Sequence, residues 1–113
     1  MKRTLFFTAV RVKATDDLTG GDEIYILVGT TRINIPGKHD ASDDWVALDN
    51  SYLDFTVELS PQVTFFTVYE SDHSGDDLIG QISIPEGDGS FEQEVSNGDA
   101  VYEIAFTLAT KIP

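Results

Sequence analysis

Carboxylate side chains are concentrated in two short stretches, and they are the residues of this chain best suited to chemistry. Residues 15–23 read TDDLTGGDE and residues 70–77 read ESDHSGDD. Like charges this close together disfavour ionisation unless a cation lies among them. Calcium takes about 6–8 oxygen ligands, largely from carboxylates, so both stretches favour a calcium site. The alternative is that Asp and Gly simply form solvated turns. The candidate ligands are Asp16, Asp17, Asp22, Glu23, Glu70, Asp72, Asp76 and Asp77.

The composition excludes several other chemistries. Seven Lys and Arg stand against 20 Asp and Glu, giving a formal net charge of −13. Phosphate binding needs clustered basic residues, so we expect no nucleic-acid partner. The chain has no cysteine, which excludes disulfides, thiolate metal sites and a cysteine nucleophile. With 113 residues, it fits one domain spanning residues 1–113.

The elements that must position the carboxylates are β-strands. Apolar and polar residues alternate in several segments, such as 52–59 and 81–84, with the period of two that is typical of a half-buried strand. The segment 65–69 is rich in aromatic and β-branched residues that favour strands. No window has a helical repeat, and turn residues separate the apolar segments. The pattern predicts an all-β fold, an antiparallel eight-stranded β-sandwich.

The beginning of the chain is interpreted as the first strand. Its apolar run after Arg3 is shorter than the 7–15 residues of a signal peptide's apolar region, and Arg11 and Lys13 follow at once. No segment approaches the ~20 apolar residues of a membrane-spanning helix. We therefore expect a cytoplasmic location, with export by a non-classical route left open.

The two acidic stretches resemble the calcium-binding loops of C2 domains. That family has two Asp residues six positions apart before an apolar strand, as Asp16 and Asp22 stand here before Tyr25. Its third loop has an acidic residue, an Asp two positions later, and another Asp before an apolar pair and a glycine. Here Glu70 takes the place of the usual first Asp, Asp72 follows, and Asp77 precedes Leu-Ile-Gly. The resemblance implies a Greek-key sandwich whose loops converge at one end around calcium.

The resemblance further implies a calcium-binding module without catalysis of its own. Its expected role is calcium-dependent interaction or association with a protein partner, a second copy or a membrane. Membrane docking has the weaker support, because the loop tips carry Leu18-Thr19 and His73-Ser74 and no basic patch is visible.

Two alternatives come from other classes. A carbohydrate-binding sandwich with a structural calcium could stack sugars on Trp45, Tyr52 or Tyr102, and a metal-free interaction domain would have acidic turns that bind no ion. Catalysis is not expected: the two histidines, His39 and His73, lie in polar segments with no triad pattern around them.

Overall fold

The computed structural model describes residues 2–15, 22–48, 55–72 and 75–111. All regular elements in these ranges are β-strands. The strands are β1 (Lys2–Ala14), β2 (Glu23–Val28), β3 (Thr31–Asn34), β4 (Val46–Ala47), β5 (Thr56–Leu59), β6 (Phe65–Asp72), β7 (Gly75–Ser83), β8 (Gly89–Ser96) and β9 (Val101–Lys111). The described residues accordingly include no helix long and apolar enough to cross a membrane.

The strands form two antiparallel sheets that pack face to face. The β1–β9 sheet has the order β4-β1-β9-β8, with β5 also paired to β1, and the β2–β6 sheet has the order β3-β2-β6-β7. Strands adjacent in sequence repeatedly fall in different sheets, as in a Greek key. The prediction of an antiparallel Greek-key sandwich is confirmed.

The predicted count of eight strands is wrong, because the described residues contain nine. One edge of β1 is covered by two short strands in succession. β5 pairs with residues 3–6 of β1, whereas β4 pairs with Ala9 and Val10. The strand predicted over residues 52–59 is observed from Thr56, and its first three residues lie outside the described part of the chain.

The core lies between the two sheets and is built around phenylalanine rings. Phe66 of β6 has its ring centroid 5.1 Å from that of Phe7 and 5.3 Å from that of Phe106, both in edge-to-face geometry. All three side chains are fully buried. Such pairs contribute about 0.5–1.5 kcal/mol beyond their burial, so these rings join the sheets at the middle of the sandwich.

A β-bulge in β7 sets which of its side chains enter the core. Val68 pairs with Gly80 but Tyr69 pairs with Leu78, so Ile79 is the extra residue. Ile79 and Ile82 are therefore both buried although they are three positions apart. Because a bulge shifts the alternation of faces by one residue, a strict period of two fails across this part of the strand.

The second acidic stretch lies at one end of the sandwich, together with Asp22 and Glu23 from the end of the first. β2 begins at Glu23, which pairs with Ser71 near the end of β6, and the β6–β7 hairpin closes just beyond it. In the other sheet, the end of β1 lies at the same end of the molecule, where Ala14 pairs with Val101. We call this the acidic end.

Candidate metal centre

The β6–β7 hairpin carries the second acidic stretch as paired strands. The sequence predicts an acidic loop from residue 70 onward, but β6 continues to Asp72 and β7 begins at Gly75. Glu70 pairs with Asp77, and Ser71 with Asp76. The prediction of a loop here is wrong because β6 is hydrogen-bonded to β2 on one side and β7 on the other, which satisfies the backbone of a polar segment as a ladder. Adjacent residues, such as Asp76 and Asp77, consequently point to opposite faces of the sheet.

Among the described residues, two acidic side chains are buried at this end. Asp22 is 0% exposed and Glu70 is 2% exposed. Glu70 pairs with Ile24, a core residue two positions after Asp22, so both carboxylates belong to the core side of the β2–β6 sheet. Burying a carboxylate is costly unless it is hydrogen-bonded, protonated or paired with a cation.

Asp22 is held by contacts from two directions. Its backbone N–H donates to the carbonyl of His39 over 2.8 Å, and the His39 N–H donates back to the Asp22 carbonyl over 2.8 Å. Its carboxylate Oδ2 accepts a hydrogen bond from the hydroxyl of Tyr102, a fully buried residue of β9. The His39 ring Nε2 in turn donates to the Pro36 carbonyl over 2.9 Å. The backbone and the side chain of Asp22 are therefore both fixed.

Asp77 is the third carboxylate on this side of the sheet. It pairs with Glu70 across the hairpin, so its side chain shares the face of Glu70, and it is exposed. Asp72 occupies the last position of β6.

Glu23 and Asp76 lie on the opposite, outer face of the same sheet. Both pair with Ser71, from β2 and β7 respectively, and both are exposed. The Tyr25 hydroxyl donates to Asp76 Oδ2 over 2.7 Å. The predicted ligands in the hairpin and at the start of β2 are thus divided between two faces.

An aromatic stack covers the outer face beside Asp76. The rings of Tyr25 and Tyr69 are stacked with centroids 5.0 Å apart, and the Arg32 guanidinium lies 3.7 Å from the centroid of the Tyr25 ring. Burial, followed by the hydrogen bond to Asp76, raises the pKa of Tyr25 to about 12. The outer face beside Asp76 is therefore occupied by the stacked tyrosine rings, the Arg32 guanidinium and the Tyr25–Asp76 hydrogen bond.

Of the four acidic residues in the first acidic stretch, Asp22 and Glu23 lie in the described part of the chain. Asp16 and Asp17 lie outside the described residues. In residues 2–15, 22–48, 55–72 and 75–111, no three acidic, histidine or cysteine side chains are grouped closely enough to hold a metal ion. Carboxylates are the ligands that a hard cation such as calcium prefers, but the described ones, Asp22, Glu70 and Asp77, do not form such a group.

The aromatic residues considered for sugar stacking differ in accessibility. Tyr102 is fully buried, so it cannot stack on a sugar, and the expectation for this residue is wrong. Trp45 is half-buried, and the Arg11 guanidinium lies 4.8 Å from its ring centroid. Tyr52 lies outside the described residues.

Sequence reasoning missed the buried partner of Asp22. Tyr102 lies 80 positions from Asp22, in the other sheet. The alternation of β9 places Tyr102 on the core side with Ile104 and Phe106, and an inward-facing tyrosine needs a hydrogen-bond partner for its hydroxyl. The need of a buried tyrosine hydroxyl for a hydrogen-bond partner is therefore the feature of the sequence that could have indicated this contact.

The fold is that of a C2 domain. A solved structure described as the structure of a C2 domain superimposes with a TM-score of 0.54 and 18% sequence identity, over 97% of this chain and 99% of that one. This confirms the C2-like sandwich expected from the two acidic stretches. No family model matches the sequence, and no curated protein matches it.

Proposed function

We propose that residues 1–113 form a single calcium-binding, non-catalytic C2-like module whose association with partners depends on calcium. The observation that carries the proposal is the burial of two carboxylate side chains, Asp22 and Glu70, on one face of one sheet at the acidic end. A bound cation offsets the cost of burying such groups. The C2 fold supports the proposal, because the loops at one end of this fold are where the resemblance implies calcium.

The proposed ligands are carboxylates on the core-side face of the β2–β6 sheet, together with acidic residues of the first acidic stretch. Asp22 and Glu70 supply buried oxygens, and exposed Asp77 supplies an oxygen from the neighbouring strand. The remaining proposed ligands are Asp72, Asp16 and Asp17. Glu23 and Asp76 are left out, because the register places them on the outer face.

Calcium changes the charge of this end, which is the basis of the proposed association. The chain carries a formal charge of −13, so two copies, or a copy and an anionic surface, repel each other. Each bound ion removes two negative charges. We propose that a protein partner or a second copy is the target, with a membrane as the weaker candidate.

The test is thermal unfolding of the metal-stripped protein with and without millimolar calcium, with magnesium as the control cation. A ligand that binds only the folded state stabilises it by RT ln(1 + [L]/Kd), about 2.7 kcal/mol at a hundredfold excess over Kd. For a chain of 113 residues, this corresponds to a rise in Tm on the order of 10 °C. Magnesium should produce a smaller rise, because it requires stricter octahedral geometry.

Adjacent residues of β7 provide matched variants. Asp77→Asn should reduce the calcium-induced rise, whereas Asp76→Asn should leave it close to that of the wild type, since the two side chains lie on opposite faces. Equal responses of the two variants would show that the core-side face does not hold the ion. No calcium-specific rise in the wild type would leave a metal-free interaction domain.

Association is measured separately, by light scattering and by sedimentation with vesicles. An increase in molar mass with calcium supports self-association. Binding to vesicles of anionic lipid, reversed by a chelator, identifies the membrane as the target. If neither changes with calcium while the Tm rises, self-association and membrane binding are both excluded as the calcium-dependent association.

A further inference from the structure

Strand β8 has one edge that pairs with none of the described strands. It pairs with β9 along its whole length of 8 residues without a shift in register, and it stands last in the order of its sheet. The other edge strands in the described part of the chain are shorter or interrupted. β3, β4 and β5 have two to four residues, and β7 contains the bulge at Ile79. The β8 edge is therefore the longest regular edge among the described strands.

The turn after β8 shows which backbone groups lie on this edge. The Asn97 N–H donates to the Ala100 carbonyl over 3.2 Å, and along an antiparallel pair the residues that bond to the partner strand alternate. The odd-numbered residues of β8 therefore bond to β9, whereas the N–H and carbonyl groups of residues 90, 92, 94 and 96 point away from it. All four residues are exposed. Such a row of backbone groups is a template for an added strand.

The charges on the outer face of the β1–β9 sheet are unequal at β8. Glu94 pairs directly with Glu103 of β9, which pairs with Arg11 of β1. Arg11 Nη2 lies 2.7 Å from Glu103 Oε1. Lys13 Nζ lies 3.3 Å from Glu94 Oε1 and 3.4 Å from Glu103 Oε1. Two neighbouring carboxylates thus share Lys13, and the row of side chains across the sheet ends on an acid.

Glu92 adds a second acid to the same face of the edge. It lies two positions from Glu94 and is exposed, and none of the ion pairs between described residues involves it. Opposite charges on neighbouring strands attract, and like charges repel. A strand beside β8 is therefore favoured when it carries basic side chains on the outer face.

The core side of the edge favours apolar side chains. Val95 is buried, and Phe91 is half-buried with its ring centroid 5.6 Å from that of Phe106. An added strand continues both faces of the sheet, because its side chains alternate between them. Residues of that strand beside Phe91 would extend the apolar side, and residues beside Glu92 would extend the charged side.

We propose that the β8 edge binds an extended segment of another protein, in which basic and apolar residues alternate, as an added antiparallel strand. This goes beyond the proposed calcium function, since none of the proposed ligands lies in β8. A second copy of the chain fits the edge poorly. Pairing two β8 edges brings Glu92 and Glu94 of one copy beside those of the other, which is destabilising, and each copy carries a formal charge of −13.

The experiment is an NMR titration of the isotope-labelled full chain with a synthetic peptide. The peptide has seven residues in which lysine and valine alternate, and a chelator is present so that the result does not depend on calcium. The N–H groups of residues 90, 92, 94 and 96 should shift and exchange more slowly with solvent, because they become hydrogen-bonded. Those of residues 91, 93 and 95, already bonded to β9, should change less. No binding at millimolar peptide, or shifts confined to other strands, would overturn the proposal.

A second peptide separates strand pairing from attraction between charges. It has the same sequence but carries N-methyl groups on the backbone nitrogens of its lysines. A lysine opposite Glu92 or Glu94 exchanges both backbone hydrogen bonds with that residue in an antiparallel pair, so methylation removes the donors and keeps the charges. The methylated peptide should bind at least about tenfold more weakly, since several hydrogen bonds are lost. Equal affinity of the two peptides would show that charge alone attracts them and would overturn the proposal.

Two variants with equal changes of net charge assign the site. Glu92→Lys should raise the Kd of the lysine–valine peptide by about 3–10-fold, because it replaces an attraction with a repulsion on the neighbouring strand. Glu23→Lys is the control, at an exposed position in the other sheet. It should change the Kd by less than about twofold, since salt screens charges more than ~8 Å apart. Equal losses in the two variants would overturn the assignment to β8, as would dimerisation of the free chain through the same N–H groups.

Discussion

The hydroxyl of Tyr25 and the carboxylate of Asp76 are joined by a hydrogen bond of 2.7 Å across the outer face of the β2–β6 sheet. The bond ties β2 to β7, with β6 between them. Asp77, the next residue, lies on the other face opposite Glu70. Two adjacent aspartates of similar sequence context therefore have different surroundings, one facing an aromatic stack and the other facing the buried acids.

Tyr25 should titrate later than an ordinary tyrosine. Its pKa is raised from 10.0 to about 12, first by burial and then by Asp76. A raised pKa in the folded state means that the contribution to stability is complete below pH 10 and is lost as the pH rises from 10 to 12. An absorbance titration at 295 nm should show a late component that is smaller in Tyr25→Phe.

The hairpin offers the control for this titration. Asp76→Asn removes the carboxylate that accepts from Tyr25, so the late component should move to lower pH. Asp77→Asn, on the opposite face, should leave it in place. A late component of undiminished size in Tyr25→Phe would assign it to another tyrosine.

The core prediction compares two neighbouring phenylalanines in β6. Phe66 is 0% exposed, whereas Phe65 is 45% exposed. Phe66→Ala should lower the free energy of unfolding by about 3–5 kcal/mol, because it leaves a cavity between the sheets. Phe65→Ala should cost about 0.5 kcal/mol or less, as for other surface positions. Urea unfolding of both variants measures the difference, and similar costs would contradict the assignment of faces.

The strand β6 was predictable from its aromatic and β-branched residues, but the sequence did not show that Phe66 and not Phe65 is buried, because both are apolar. The faces of β7 were also not predictable. There the bulge at Ile79 puts Ile79 and Ile82 in the core, and no composition signal distinguishes this spacing from an irregular strand. Local patterns predict faces well only where the ladder is regular.

The candidate site was predictable in its residue types but not in its arrangement. The density of carboxylates at residues 70–77 indicated a charged end of the fold. It could not show that the strands extend through this stretch and direct Asp76 and Asp77 to opposite faces, because pairing with β2 overrides the turn preference of Asp and Gly. The Tyr102–Asp22 bond was also hidden, since it joins residues 80 positions apart in different sheets.

Gly80 is predicted to be intolerant of a side chain. A Cβ on this residue would lie 2.4 Å from Cγ2 of Val95 in β8, and valine is stiff about χ1. Gly80→Ala should therefore lower the free energy of unfolding by about 1–3 kcal/mol. In the double variant with Val95→Ala the cost should be less than the sum of the single costs by about 0.5–3 kcal/mol. Strict additivity would show that the two strands do not approach each other at this point.

The ion pair between Arg11 and Glu103 should make stability depend on acid pH. Arg11 Nη2 lies 2.7 Å from Glu103 Oε1, and the two side chains are 27% and 14% exposed. The guanidinium of Arg11, together with Lys13, lowers the pKa of Glu103 below its usual 4.5, against the opposing effect of burial.

A lowered pKa in the folded state fixes the direction of the effect. The stabilisation is complete above pH 4.5, the unfolded value, and is lost as the pH falls through the folded pKa. At pH 7, Glu103→Gln should lower the free energy of unfolding by about 1–2 kcal/mol, since it weakens a charged hydrogen bond that is partly buried. At a pH below the folded pKa of Glu103, the variant and the wild type should have nearly equal urea midpoints.

Glu92→Gln, at an exposed position on the adjacent strand β8, is the control and should lower the free energy of unfolding by less than about 0.5 kcal/mol at pH 7. A difference between Glu103→Gln and the wild type that persists unchanged in acid would show that the variant disturbs packing and not an ion pair.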